Sequence, residues 1–404
     1  MTNQTSTGSK RKTGFFCFLC CLIYFTSYLT RIDYAAVLVE IVEDLNVSRE
    51  LASIAVTGSF ITYGVGQLVS GLLGDRVSPR LLIFAGLAAT SAVNLSMARL
   101  PNIYAMTALW FFNGFFQAML WPPLVRIMAE NLDDRQYTRT CVLVSAAASA
   151  ATIAVYLLAP VVIHLSGWRA VFVIAGGCGL CVSLLWFAGT RKLNPSVPQK
   201  SDAGKQVSFS VLAKAGIVLV MLAIVLQGLL RDGVITWMPA YINDIYSLGT
   251  SLSILTTVIL PVFSIVSVEI ASKLHGKMKN ELTESTLLFG IGFAASALML
   301  LVFRESIALS VALMALITGC MHGINLMLIS RLPVHFKKYG RVSTISGLLN
   351  ACTYIGSALS TYGFAALSER YGWYFIIVSW IAVCAAGTAV CALCVRRWAR
   401  FTEE

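Results

Sequence analysis

The chain reads as an all-α membrane protein, with twelve transmembrane helices in two pseudo-symmetric six-helix bundles. Three observations carry that reading. Of the 404 residues, 57% are hydrophobic and only 12% charged, so lipid is the solvent for most of the surface. Twelve apolar spans of bilayer-crossing length can be drawn along the chain. The 30 Lys and Arg divide 23 to 5 between alternate span ends, with Arg31 and Arg231 belonging to neither side.

Residues 1–13 form a polar, basic tail. The first span continues past signal-peptide length with no small-residue cleavage site, so it is read as retained. The spans run 14–40, 51–73, 81–98, 102–127, 139–164, 168–189, 211–242, 250–272, 286–303, 306–330, 342–366 and 373–395. Residues 190–210 carry Arg191, Lys192, Pro195, Pro198, Lys200 and Lys205, and read as a linker between the bundles 14–189 and 211–395. Residues 396–404 are a C-terminal tail. The basic bias places tails and linker in the cytoplasm of a multi-pass protein of the cell (inner) membrane. It also explains the net charge of +11 without nucleic acid.

The halves repeat. Arg31 and Arg231 stand 200 residues apart in the first span of each half, and Gly167-Trp168 and Gly372-Trp373 open the last spans 205 apart. Duplicated six-span units commonly hold their substrate between the halves at mid-depth and expose it by alternating access.

Arg31 lies 19 residues beyond Lys12, about 28 Å along a helix, and so within a hydrocarbon core about 30 Å thick. An arginine at that depth faces a polar cavity and marks a site. Tyr24, Tyr28 and Arg31 share one helix face by their spacing. Two such guanidiniums, one per half, suit phosphate or carboxylate.

Gly71, Asp75, Arg76, Pro79 and Arg80 mark the junction of spans two and three. Asp75 can accept from a helix N-terminus there, and Arg76 and Arg80 can pair with carboxylates. In span four, Asn113, Gln117 and Trp121 form a semi-polar stripe running into Pro122 and Pro123, which break the backbone ladder inside the membrane. These motifs, with Tyr28-Leu-Thr-Arg31, Gly167-Trp168-Arg169 and Arg231…Trp237-x-Pro239, resemble the organophosphate:phosphate antiporters of the major facilitator superfamily. The resemblance reaches from about residue 24 to 375. It implies the major facilitator fold and gating by the Gly71–Arg80 loop. Arg31 and Arg231 would hold the substrate's anionic group, and Tyr24, Tyr28, Tyr63, Gln67, Trp121 and Tyr354 would line the site. A monomer is the family default. Two positions depart from the pattern: Gln67 stands where the exchangers carry lysine, and Ala148 where they carry histidine. Both changes remove positive or protonatable groups and favour a less highly charged anion.

Asp33, Asp232 and His322 are the candidates for proton coupling; His164, His275 and His335 fall at span ends, where solvation is expected. The 11 cysteines lie almost all in apolar runs, and their C-x-x-C pairs lack metal-site companions, so they read as packing residues. No Walker, nucleophile-elbow or metal-ligand motif is present, so no enzyme, cofactor or ATP-driven pump is expected. The reading is a secondary-active carrier of a small organic anion, a phosphate ester or similar, working by alternating access with a counter-anion or a proton as its partner. Its alternatives are a proton-coupled carboxylate symporter and a non-transporting membrane ligand sensor. Asn46-Val-Ser48 fits a glycosylation sequon but reads better as a helix start.

Overall fold

The computed structural model describes residues 3–191, 215–247 and 259–403, and every regular element in them is helical. Residues 192–210 of the expected linker and the first residues of the seventh and eighth spans lie outside the described residues. The chain divides into two compact units. One is Met1–Asp202 with Gly340–Leu348, the other Ala203–Tyr339 with Leu349–Glu404. The unexpected part of that division is Gly340–Leu348, which opens the eleventh span yet clusters with the first unit.

In the first unit α1 (Asn3–Ala36) begins inside the expected basic tail, where Lys10, Arg11 and Lys12 are good helix formers. A short helix, α2 (Leu38–Leu45), ends at Asn46 in the left-handed conformation, φ 47°. Ser48 then caps α3 (Arg49–Arg76), its Oγ accepting the Leu51 amide at 3.1 Å, so Asn46–Ser48 serves as a helix start. Next comes α4 (Pro79–Met97), with proline in its first turn. Span four is two helices, α5 (Ile103–Gln117) and α6 (Trp121–Asn131). Pro122 and Pro123 cannot donate to the preceding turn, and they fall where α6 starts, so no bond within α6 is lost. A reciprocal capping box of Asp133 and Gln136 opens α7 (Asp134–Ser166), and α8 (Trp168–Gly189) completes the set. The closest helix pairs are α3 with α5, α4 with α8, and α1 with α7 and α8.

Polarity is arranged for lipid. Asn94, Asn113 and Gln117 are buried, whereas Leu157, Leu158 and Val161 of α7 are exposed.

The second unit contains α9 (Ile217–Tyr246), α10 (Ile259–Met278), α11 (Glu281–Val302) and α12 (Ile307–Asn325). A π-helical turn (Leu326–Arg331) and a 3-10 segment (Leu332–Tyr339) follow, then α13 (Val342–Glu403). Among the described residues eleven helices are long and apolar enough to cross a membrane. The first limb of α13 stands where the remaining span, 342–366, is expected. The expected tail 396–404 is not free: α13 continues through it, burying Trp398 and packing Phe401 on Phe336 with ring centroids 5.2 Å apart. Two large aromatic rings in nine residues are reason enough for that end to dock.

The repeat is visible in atomic detail. Gly167 has φ 77° and ψ 166°, Gly372 φ 74° and ψ −178°. The tryptophan after each donates Nε1 to an acid, Trp168 to Asp44 at 3.3 Å and Trp373 to Asp244 at 3.1 Å. Asp44 and Asp244 are 200 residues apart, the offset of Arg31 and Arg231. That backbone region is essentially glycine's alone, and a Cβ on either residue would meet nothing within 4 Å. Gly167→Ala and Gly372→Ala should therefore each cost about 1–3 kcal/mol through strain alone, seen as a lowered melting temperature. Gly290→Ala, equally uncrowded but on α11, should not destabilise.

Candidate functional site

The first unit holds a guanidinium among aromatic rings. Arg31 Cζ lies 4.1 Å from the ring centroid of Tyr63, 5.6 Å from that of Phe60 and 5.7 Å from that of Tyr28. Tyr24 continues the row, 5.4 Å from Tyr28 and 4.9 Å from Trp121. Aromatic faces attract the cation through the ring quadrupole and carry no opposite charge of their own. Tyr24, Tyr28, Tyr63, Trp121 and Arg31 are thus brought together; Tyr63 and Trp121 are buried, the others partly so.

The helix that carries Arg31 is pinned one residue before it. Asn94 Nδ2 and Asn113 Nδ2 donate to the Thr30 carbonyl at 3.1 and 3.0 Å. Gln117 Nε2 donates to Thr30 Oγ1 at 2.9 Å and to the Ser27 carbonyl at 3.0 Å. The polar stripe of span four therefore faces α1 and positions it. Asn94 completes the set and is absent from the sequence-based candidates; its signal is one amide in the last turn of an apolar span.

Gln67 has a different surrounding from the cavity-lining one expected. It is fully buried, and its Nε2 lies 3.5 Å from the Ala118 carbonyl. Pro122, four residues on, cannot donate to that carbonyl, so the Gln67 amide stands in for the missing ladder bond. Ala148 is buried on α7.

In the second unit Arg231 is held by its neighbour. Its Nε and Nη2 reach the two carboxylate oxygens of Asp232 at 2.7 and 2.9 Å, and Ser357 Oγ donates to Asp232 as well. Asp232 is thus the partner of both the arginine and Ser357. Tyr354 sits half-buried on the turn of α13 before Ser357. The Nδ1–H of His322 donates to the Thr318 carbonyl at 2.8 Å, one turn back on α12. Asp33 is 1% exposed and one of its oxygens accepts the Tyr34 amide at 3.0 Å.

At the basic end of the first unit Asp75 binds the start of α13. Its two oxygens accept the Ser343 and Thr344 amides at 2.9 and 2.8 Å. The arginine partners differ from those expected. Arg76 is exposed, and Arg80 donates to Thr190 Oγ1 at 3.0 Å and to the Phe187 carbonyl rather than to a carboxylate. Arg126 of α6 takes the pairing role, bonding the Gly74 carbonyl at 2.5 Å and Glu130 at 2.7 Å. Span four ends beside span two, so its last arginine reaches the loop first.

Two histidines expected in solvent are engaged. His275 Nδ1 lies 3.2 Å from Glu284, and His335 Nε2 lies 2.9 Å from Glu281, which also accepts Trp398 Nε1 at 2.8 Å. Both acids open α11, where a helix N-terminus favours negative charge. His164 is exposed, and Glu269 forms an exposed pair with Lys273 at 3.2 Å.

Known proteins give a consistent picture. A probable hexose phosphate transport protein of Chlamydia trachomatis is 26% identical over 153 residues, 38% of this chain and 34% of that protein. The membrane sensor protein UhpC of Escherichia coli is 29% identical over 162 residues, 40% of this chain and 37% of the sensor. The glycerol-3-phosphate transporter of Bacillus subtilis is 29% identical over 106 residues, 25% of this chain and 24% of that one. The matched stretch is thus about a third of the length of the first two relatives and a quarter of the third. Likeness of fold extends further. The E. coli fucose:proton symporter FucP superposes with a TM-score of 0.72 over 95% of this chain and 98% of its own, at 15% identity. The proton:xylose symporter XylE does so with 0.72 over 94% and 95%, at 13% identity. The organophosphate-transporter resemblance read from the motifs has its counterpart in these relatives, and such proteins are transporters, not enzymes. Residues 17–361 match the Major Facilitator Superfamily, and to that family the chain belongs.

Proposed function

We propose that this chain carries a small organic anion, a phosphate ester or an anion of similar shape, across the cell (inner) membrane by alternating access. The observation that supports it most is Arg31 within the first span, its guanidinium resting on Tyr63 and Tyr28. A guanidinium presents its donors in a plane that matches the oxygens of a phosphate or carboxylate. In the second unit Asp232 already balances the charge of Arg231, which favours an anion of low charge. Beside Arg31, Tyr24 and Trp121 supply apolar walls with polar tips for the organic part.

The test is stabilisation of purified protein by inorganic phosphate, glycerol 3-phosphate, glucose 6-phosphate and gluconate, followed by uptake into proteoliposomes. A ligand at 100 times its Kd stabilises by about 2.7 kcal/mol, which a melting curve resolves. Stabilisation by a phosphate ester together with uptake is expected. Stabilisation by no member of the panel would overturn the reading. The likeness to UhpC favours a second reading, a ligand sensor. Binding without flux would select it.

A further inference from the structure

The carbonyl of a helical residue points toward the following turn. The amides of Asn94 and Asn113 that reach the Thr30 carbonyl therefore arrive at the level of Asp33, one turn on. Asp33, Asn94 and Asn113 are each at most 1% exposed. Among the described residues, Asp33 Oδ2, Asn94 Oδ1 and Asn113 Oδ1 meet no hydrogen-bond donor. Three buried acceptor oxygens around one helix turn, one of them a carboxylate's, lack something that donates.

The charged groups on the surrounding helices lie elsewhere. Arg31 points to Tyr63 and Phe60 of α3. The helices packed on α1 are α2, α4, α5, α7 and α8. On α2, beyond the turn that holds Asp33, Glu40 is half-buried and Glu43 and Asp44 are exposed. On α4 the one charge is Arg80, in its first turn; α5 has none, and its tyrosine, Tyr104, is at its start. The charges of α7 and α8 lie at their ends: Asp134, Arg135 and Arg139 at one, His164 at the other, and Arg169, bound to Asp44, opening α8. Of the further groups, Cys178 and Cys181 are exposed, and Tyr34 donates to the Ala52 carbonyl. A bare carboxylate in such a place is costly. A proton removes the cost: the neutral acid has an O–H to give to an amide oxygen.

We propose that Asp33 is the proton-binding site of this carrier, protonated in the state described here and exchanging its proton during the cycle. Proton and anion then travel together, so the inference rests on the anion reading above and adds the coupling ion to it. One proton joins one carboxylate oxygen, and nothing else is made or broken. The linkage has a definite sign. Ionised Asp33, two residues from Arg31, would offset the guanidinium's charge; neutral Asp33 leaves that charge for the substrate, so proton and anion each favour the other's binding.

Two measurements test this separately from the anion reading. The first is the infrared difference spectrum of wild type against Asp33→Asn at neutral pH, without substrate. A protonated-carboxyl band present in wild type, missing in Asp33→Asn and retained by Asp33→Glu is expected; an ionised-carboxylate band alone would overturn the assignment. The second is the ratio of glycerol 3-phosphate or gluconate affinity between wild type and Asp33→Asn across pH, which cancels titration of the probe. Wild type should lose about tenfold per pH unit on the alkaline side relative to the variant. A flat ratio, or a dependence on sodium in place of protons, sinks the proposal. Should neither anion bind wild type, the anion reading fails, while the infrared result still decides whether Asp33 carries a proton.

Discussion

Arg31→Ala should bind the stabilising anion about 2–5 kcal/mol more weakly than wild type, the usual loss when one partner of a sequestered charge pair is truncated. That is a rise in Kd of roughly thirtyfold to a few thousandfold, readable by calorimetry or by the vanished thermal shift. Arg31→Lys keeps the charge but not the planar fork, and should fall between the two. The apo protein should hardly change in stability. The variant loses a cation–π interaction of about 0.5–2 kcal/mol with Tyr63. It also no longer holds a charge within an apolar span, which offsets that loss. Wild-type affinity in Arg31→Ala would show that the row from Trp121 to Tyr63 is core packing and not a binding wall.

Much of this arrangement is legible in the sequence because membrane spans announce themselves locally. Twenty apolar residues need a helix whatever surrounds them, and two prolines in a row foretell the break between α5 and α6. The arginines are equally plain, since nothing else explains a charge at that depth. Partnerships are another matter. His335 finds Glu281 across 54 residues and Asp75 finds Ser343 across 268, and no local pattern encodes either. Gln67 reads as a lining residue until its reach to Ala118 shows it mending the gap that Pro122 leaves. Asp44 and Asp244 were accessible in principle. Their spacing of 200 is that of Arg31 and Arg231, but acids at span ends are too common to stand out.

The second large effect should come from Asp75→Asn. A carboxylate gives one oxygen to each of two amides at the first turn of α13, where the helix dipole also favours negative charge. Asparagine has a single acceptor, and its NH₂ would face the other amide as a second donor. Bonds to a charged group are worth about 1.5–3 kcal/mol each, so losing one and impairing the other should raise opening of this turn roughly a hundredfold. Hydrogen exchange of the Gly340–Leu348 amides is the readout, with Ser343 and Thr344 the most affected. Backbone closeness gives an independent check: Gly71 and Gly347 meet so tightly that a Cβ on Gly71 would lie 2.9 Å from the Ser343 carbonyl. Gly71→Ala should therefore loosen the same segment by steric means, with the Asp75 charge intact. If the two variants release the same amides, charge and close packing hold one latch. If Asp75→Asn leaves exchange at wild-type rates, the glycine contact alone joins this segment to the first unit.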